Sequence, residues 1–244
     1  MLTIAALILA TSQTPPAAKP INPLAPVIWI DPRGDILVDS QEVTPKFDAG
    51  VEKVKTPYGM GYDFNGAKSG IRLPDQGTFK ITGDLSISAW LFVRNFAPNG
   101  EQSEVLFRGD DRNGLDPYGI MVTHDGSVKF YIYNEKNQEA EAKTALPLNQ
   151  WAHVLGTLNA ATGEISIYLD GNKMTTVSTK IRPFSELEQK SAPGVGIGNV
   201  QSDKSPSNQP LNGILADVRL YARLTTPAET GFRYVSAPTG ASPQ

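Results

Sequence analysis

From about residue 27 onward the apolar and polar positions of the chain alternate with a period of two. In LSISAWLFV, residues 85 to 93, Leu85, Ile87, Ala89, Leu91 and Val93 fall on one face and Ser86, Ser88, Trp90 and Phe92 on the other. Apolar side chains on both faces predict a central strand buried from two sides. SVKFYIY, residues 127 to 133, sets Val128, Phe130 and Ile132 against Lys129, Tyr131 and Tyr133, and EISIYLD, residues 164 to 170, turns Ile165, Ile167 and Leu169 inward. Asp170-Gly171 leads into NKMTTVS, and His124-Asp125-Gly126 separates YGIMVT from SVKFYIY. Glycine accepts a positive φ, so an Asp-Gly pair between alternating runs predicts a tight antiparallel hairpin. One helical signal stands out. Thr226-Pro227-Ala228-Glu229 combines a capping-box Thr and Glu with Pro at the first helical position, which predicts one short helix after the last strand. The expected core is Ile87, Ala89, Leu91, Val128, Phe130, Ile132, Ile167, Leu169, Val218 and Leu220.

The two ends break the pattern. LTIAALILA, Leu2 to Ala10, followed by Ala10-Thr11-Ser12, has the apolar run and small residues of a signal peptide, expected over residues 1–12, and is too short to span a membrane. Export follows as an expectation, to a secreted or cell-envelope location. QTPPAAKPINPLAP, residues 13–26, carries five prolines and reads as a linker; one domain should cover 27–236, and the final eight residues, 237–244, form a tail with nothing to bury.

Composition narrows the function classes. The 22 Gly and 19 Pro cut the chain into short segments that suit strands and turns. There is no cysteine, which excludes disulfides and thiolate chemistry, and the two histidines, His124 and His153, are too few for a His-rich zinc site. A net charge of −3 with scattered Lys and Arg gives no phosphate-binding stripe, so nucleic acid is not an expected partner. His124 reads as a turn residue, and His153, inside WAHVLG, as a half-exposed structural histidine.

Four blocks in order resemble the laminin-G-like jelly rolls of the concanavalin A-like lectin and glucanase superfamily: YDFNGAKSGIRLP (62–74), LSISAWLFV (85–93), WAHVLGTLNAATGEISIYLDG (151–171) and LNGILADVRLYARLTTPAE (211–229). The resemblance implies an all-β, two-sheet antiparallel jelly-roll sandwich with one short C-terminal helix and with ligand loops at one rim. It does not fix an activity, since one fold hosts many. Catalytic relatives carry paired glutamates with an intervening aspartate on one strand. No such triplet occurs here, because Glu164 stands alone in GEISIYLD and Glu139/Glu141 and Glu186/Glu188 are bare pairs. A non-catalytic module recognising carbohydrate or an extracellular, cell-surface protein is therefore expected, with a polysaccharide-degrading hydrolase or lyase as the alternative.

Two sets of residues carry the site expectations. Sugar rings offer C–H faces between hydroxyls, so Trp90, Tyr131, Tyr133 and Tyr168 are the candidate stacking platforms, with core packing as the competing role. The loop GDDRNGLDP, residues 109 to 117, concentrates oxygen ligands of the kind calcium uses. The resemblance places a calcium-ligating Asp at Asp116 and a second ligand in the loop holding Glu188; Asp110 and Asp111 complete the candidate set. The same acidic residues would equally decorate an exposed turn.

Overall fold

A computed structural model describes residues 24–98, 100–112, 114–200 and 208–230. The expected signal peptide, most of the linker, the last residues of the domain and the tail lie outside the described residues. The strands, in chain order, are β1 (Ile28–Ile30), β2 (Ile36–Val38), β3 (Gln41–Glu42), β4 (Lys46–Phe47), β5 (Val51–Thr56), β6 (Gly59–Asn65), β7 (Ile71–Pro74), β8 (Leu85–Val93) and β9 (Gln102–Gly109). They continue with β10 (Tyr118–Thr123), β11 (Ser127–Tyr133), β12 (Glu139–Ala145), β13 (Trp151–Asn159), β14 (Glu164–Leu169), β15 (Asn172–Ser178), β16 (Gly194–Ile197) and β17 (Asn212–Tyr221).

The strands form two antiparallel sheets. The larger runs β15-β14-β13-β8-β17-β1-β2-β3, with the β5–β6 hairpin pairing onto β17; the smaller runs β12-β11-β10-β9-β16-β7-β4. Period-two alternation turns one face of each sheet inward, and the two inner faces make the core. Leu85, Ile87, Ala89, Leu91 and Val93 of β8 share it with Val128, Phe130 and Ile132 of β11, with Ile165 and Ile167 of β14 and with Val218 and Leu220 of β17. Leu169, expected inside, is half-buried at the core's margin.

Both predicted hairpins form. β14 and β15 pair through Asp170-Gly171, both at positive φ (47° and 77°), and β10 and β11 pair across a turn that ends on Gly126 at φ 86°. Where a helix is expected, the described residues show one 3₁₀ turn, Pro227–Thr230, with the Thr226 amide and hydroxyl donating to Glu229 Oε2 at 2.8 and 2.9 Å as in a capping box; positions after 230 lie outside the described residues. No helix among the described residues is long and apolar enough to cross a membrane.

β8 is buried along its whole length, as its doubly apolar pattern predicts. Its outer face is covered by the tip of the β5–β6 hairpin: the Tyr58 ring stacks on Trp90 with centroids 3.6 Å apart and planes 7° from parallel. His153 of β13 lies edge-on to Trp90 at 5.0 Å and is only 1% exposed, so it is fully buried and not half-exposed as the sequence implied. The covering residues, Tyr58 and Thr230, are distant in sequence, and Thr230 Oγ1 lies 3.3 Å from His153 Nε2. Burial, and then the nearby Arg219 charge, push the His153 imidazole down to about 3, so the ring is neutral.

Candidate functional site

The outer face of the smaller sheet carries a different kind of surface. Here β9, β10 and β11 floor a recess of about 150 Å³, walled by the loop between β9 and β10 and by Val200 and Gln209 on the approach to β17. Its polar lining includes Gln102, Glu104, Asp110, Arg112, Asp116, Lys129 and Gln209. At roughly 30 Å³ per water, that is space for about five waters or one small polar group.

Glu104 reaches this face through a β-bulge. In the β9–β10 ladder Leu106 pairs with Ile120 and Glu104 with Met121, so Val105 is an extra residue. The insertion puts both Val105 and Leu106 into the core and leaves Glu104 on the outer face with Phe107. The Glu104 carboxylate, 1% exposed as a residue, accepts the Tyr131 hydroxyl at 3.3 Å, while its amide donates to the Gln209 carbonyl at 2.9 Å. Burial raises the Glu104 carboxyl well above the usual carboxylate range, and the charge of Asp116 adds to the rise. Asp116 is likewise raised by burial and then by Asp110, and burial pushes the Tyr131 phenol upward.

Two glycines make room for this arrangement. A Cβ on Gly119 would lie 2.4 Å from the Tyr131 hydroxyl oxygen and 2.8 Å from the Leu106 carbonyl, and one on Gly109 would lie 2.3 Å from Asp116 Oδ1. Gly119→Ala is therefore expected to cost ~1–3 kcal/mol by overpacking, lowering the melting temperature by ~2–12 °C. Gly77→Ala, whose added Cβ meets nothing within 4 Å, serves as the neutral control in the same thermal scan. Equal melting temperatures for the two variants would remove the claim that Gly119 is required by Tyr131.

Three side-chain oxygens of the lining are buried without a hydrogen-bond partner: Gln102 Oε1, Asp116 Oδ1 and Gln209 Oε1. An unsatisfied buried acceptor costs about 1–3 kcal/mol, so three around one recess leave acceptor capacity for waters or for a ligand's donors.

The expected stacking residues do not come together. Tyr131 and Tyr133 sit at the recess, T-shaped to one another at 5.8 Å, but Tyr131 is fully buried and presents no free face, leaving Tyr133 half-buried beside the opening. Trp90 and Tyr168 belong to the other sheet. Trp90 is beneath Tyr58, and the half-buried Tyr168 ring has Lys173 Nζ 5.7 Å from its centroid. The candidate cation ligands divide as well. Asp110 is taken by Arg112, whose Nε and Nη2 donate to it at 2.9 and 2.6 Å, and by the Glu188 amide at 3.0 Å. Glu188 Oε2 instead accepts Ser191 Oγ at 3.1 Å, and Asp111, on the same loop, donates its amide to the Ser191 carbonyl at 2.7 Å. Asp116 lines the recess with its Oδ1 buried and without a hydrogen-bond partner. Among the described residues no group of three or more His, Cys, Asp or Glu side chains is gathered as a metal ion would need.

Two antiparallel sheets with core faces opposed and a polar recess on one outer face define a jelly-roll domain. The chain belongs to the concanavalin A-like lectin/glucanases superfamily, whose Laminin_G_3 model matches residues 65–230. Comparison with curated protein sequences gives no match. Among solved structures, the chain is similar to the botulinum neurotoxin serotype G binding domain (11% identity, TM-score 0.63), covering 84% of this chain and 49% of that one. It is similar to the botulinum neurotoxin DC binding domain in complex with SialylT (14%, TM-score 0.63, covering 86% and 52%). A third similar structure is domain 4 of AbnA, a GH43 extracellular arabinanase from Geobacillus stearothermophilus, in complex with arabinotriose (18%, TM-score 0.54, covering 75% and 80%). The chain thus spans about half the length of the toxin domains it matches. At these identities the likeness is one of fold.

Proposed function

We propose that this chain is a non-catalytic carbohydrate-binding module, exported by its N-terminal apolar segment, and that it holds its ligand at the recess over β9, β10 and β11. The observation that carries this reading is the convergence of three partnerless acceptors, Gln102 Oε1, Asp116 Oδ1 and Gln209 Oε1, on one recess with the half-buried Tyr133 ring beside it. Sugar hydroxyls donate to such acceptors while ring C–H groups lie against an aromatic face. Two of the similar structures are complexes, one with arabinotriose and one with SialylT, and support the choice of ligand class.

Hydrolysis is the second reading, favoured by the presence of Glu104 and Asp116 in the same recess. A glycosidase needs its two carboxyls held apart in acidity, one carrying the proton and the other ionised. Here burial raises both, with Asp116 adding to the rise of Glu104 and Asp110 to that of Asp116, so the two are not held apart as an acid and an ionised nucleophile.

A glycan array run beside a reducing-sugar release assay, with arabinan and sialylated oligosaccharides included, tests the proposal. Binding without sugar release is expected. Gln102→Leu should weaken the bound glycan by about five- to a hundredfold, the loss of one buried hydrogen bond. Tyr168→Ala, on the opposite sheet, should leave binding unchanged. Release of sugar would establish the enzyme instead, and loss of binding in the Tyr168 variant alone would move the site to the larger sheet.

A further inference from the structure

The unsatisfied atoms at the recess are all acceptors, and this restricts what can enter. A ligand group that brings only acceptors, such as a carboxylate or sulfate, would leave Gln102 Oε1, Asp116 Oδ1 and Gln209 Oε1 as they are. The occupant has to donate.

The ionic pairing restricts it further. Both cations of the lining are already engaged: Arg112 by Asp110 at 2.6 Å, and Lys129 by Glu139 and Glu141 at 2.7 and 3.0 Å. Among the described residues, Glu104 and Asp116, the two remaining carboxyls of the recess, feel the charges of Lys129 and Arg112 but form no ion pair within 4 Å. A neutral hydroxyl can satisfy an acceptor but brings no counter-charge. A primary ammonium brings three N–H donors and one positive charge, matching three partnerless acceptors and two carboxyls that make no direct ion pair among the described residues. The π face of Tyr133, near the opening, favours a cation as well.

The shape decides between kinds of amine. A lysine side chain would find only Phe107, Met121 and Val200 as apolar partners for its four-carbon stem in a lining that is otherwise largely polar, so its methylenes gain little. An amine whose neighbouring carbons carry hydroxyls meets that lining with further donors. The recess, at about 150 Å³, has room for one such ring edge and not for a longer segment.

We infer that the recess recognises the free, protonated amine of an amino sugar, with Gln102, Asp116 and Gln209 as its acceptors and Glu104 as the second carboxyl facing its charge. This rests on the glycan-binding reading of the same site and adds the substrate class.

The test is calorimetric titration of the full chain with fully deacetylated chitotriose and, in parallel, with its N-acetylated counterpart, at pH values stepped from mildly acidic to neutral, so that the range in which the amine is charged and the raised Glu104 and Asp116 carboxyls are ionised is included. The deacetylated sugar is expected to bind at least about tenfold more tightly, the scale of one charge-assisted hydrogen bond. Glu104→Gln and Asp116→Asn should each abolish that preference. Both substitutions remove a buried carboxylate, and a thermal scan of each variant confirms that loss of binding is not loss of fold. Equal or tighter binding of the acetylated sugar would overturn the amine inference and leave the glycan-binding proposal standing. Silence towards both sugars with binding of a lysine-rich peptide would overturn both readings. A melting-temperature rise with calcium chloride, cancelled by Asp116→Asn and accompanied by silence towards both sugars, would overturn them in favour of a metal site.

Discussion

Arg108→Met should unfold at a temperature ~6–20 °C below the parent, from a loss of ~3–5 kcal/mol when one partner of a buried ion pair is removed. The Arg108 side chain has no exposed surface and the Asp75 side chain only 4%. Nε and Nη2 donate to the two Asp75 carboxylate oxygens at 2.9 and 3.0 Å, a bidentate pair, and Nη2 also donates to the Ser185 carbonyl at 2.7 Å. Methionine has the length to fill the space but none of these donors. Asp75 is then left as a buried charge with no counter-ion, and the Ser185 carbonyl loses its donor. The effect extends to the recess, because the 184–188 segment that Arg108 holds also supplies the Glu188 amide that caps Asp110. Pairing the substitution with Asp75→Asn separates the two causes. If the uncompensated charge dominates, Arg108→Met/Asp75→Asn recovers most of the lost stability; if the double variant is no better than the single one, packing and carbonyl capping dominate. A single variant melting within about 2 °C of the parent, less than 1 kcal/mol, would contradict the argument altogether.

Local alternation was sufficient to read the framework. The doubly apolar run of β8 predicts a strand covered on both faces, and the Asp-Gly pairs predict the β10–β11 and β14–β15 hairpins; the structure has all three. The order of the four family blocks extends these local signals to the whole sandwich. The recess was less legible. Glu104 sits in QSEVLFRG, where strict period two would group it with Leu106, and only the extra residue Val105 in the ladder turns it to the other face. A bulge is a property of the paired strands, so one strand's sequence does not display it. Gln102 and Gln209 come together from segments 107 positions apart, and neither has a local pattern to mark it. The clearest signal available was a glutamate directly before the apolar run Val105, Leu106 and Phe107. The aromatic set failed for a related reason: Trp90 and Tyr131 are both outward by period two, yet outward on different sheets, and each is then covered, Trp90 by Tyr58 and Tyr131 by its neighbours on the recess floor. Asp116 was singled out by the family resemblance, as a calcium ligand just before an aromatic-led strand, and the structure places it in the lining of the recess. That Arg112 would claim Asp110 depends on side-chain placement within the loop.

Acidification should destabilise the chain through His153, and the sign follows from its burial. In the unfolded chain the imidazole takes up a proton near 6.5, whereas in the fold burial and the Arg219 charge hold it down to about 3. The native state therefore binds fewer protons throughout that window. The stabilisation is complete above 6.5 and is lost as pH falls towards 3, at about 1.4 kcal/mol for each pH unit. Among the described neighbours, Asp217 is held by Arg219 at 2.7 and 2.8 Å, Asp170 accepts the His153 backbone amide, and Thr230 is neutral. Glu104 and Asp116 act in the opposite direction. Their raised carboxyls keep protons that the unfolded chain has released, so they favour the folded state as pH falls from their raised values towards the ordinary carboxylate range. The parent's pH–stability curve contains both slopes, and the difference between parent and His153→Gln isolates the first. Between neutral pH and the onset of carboxylate titration, that difference should shrink by about 1.4 kcal/mol per unit, which is ~3–6 °C in melting temperature. Glu104→Gln should act on the other limb, removing stability that the parent gains on acidification while raising the melting temperature at neutral pH. A parent-minus-His153→Gln difference that stays flat below 6.5 would show that the imidazole is reached by water or by a compensating carboxylate, and would displace His153 from the buried, neutral role its contacts with Trp90 and Thr230 give it.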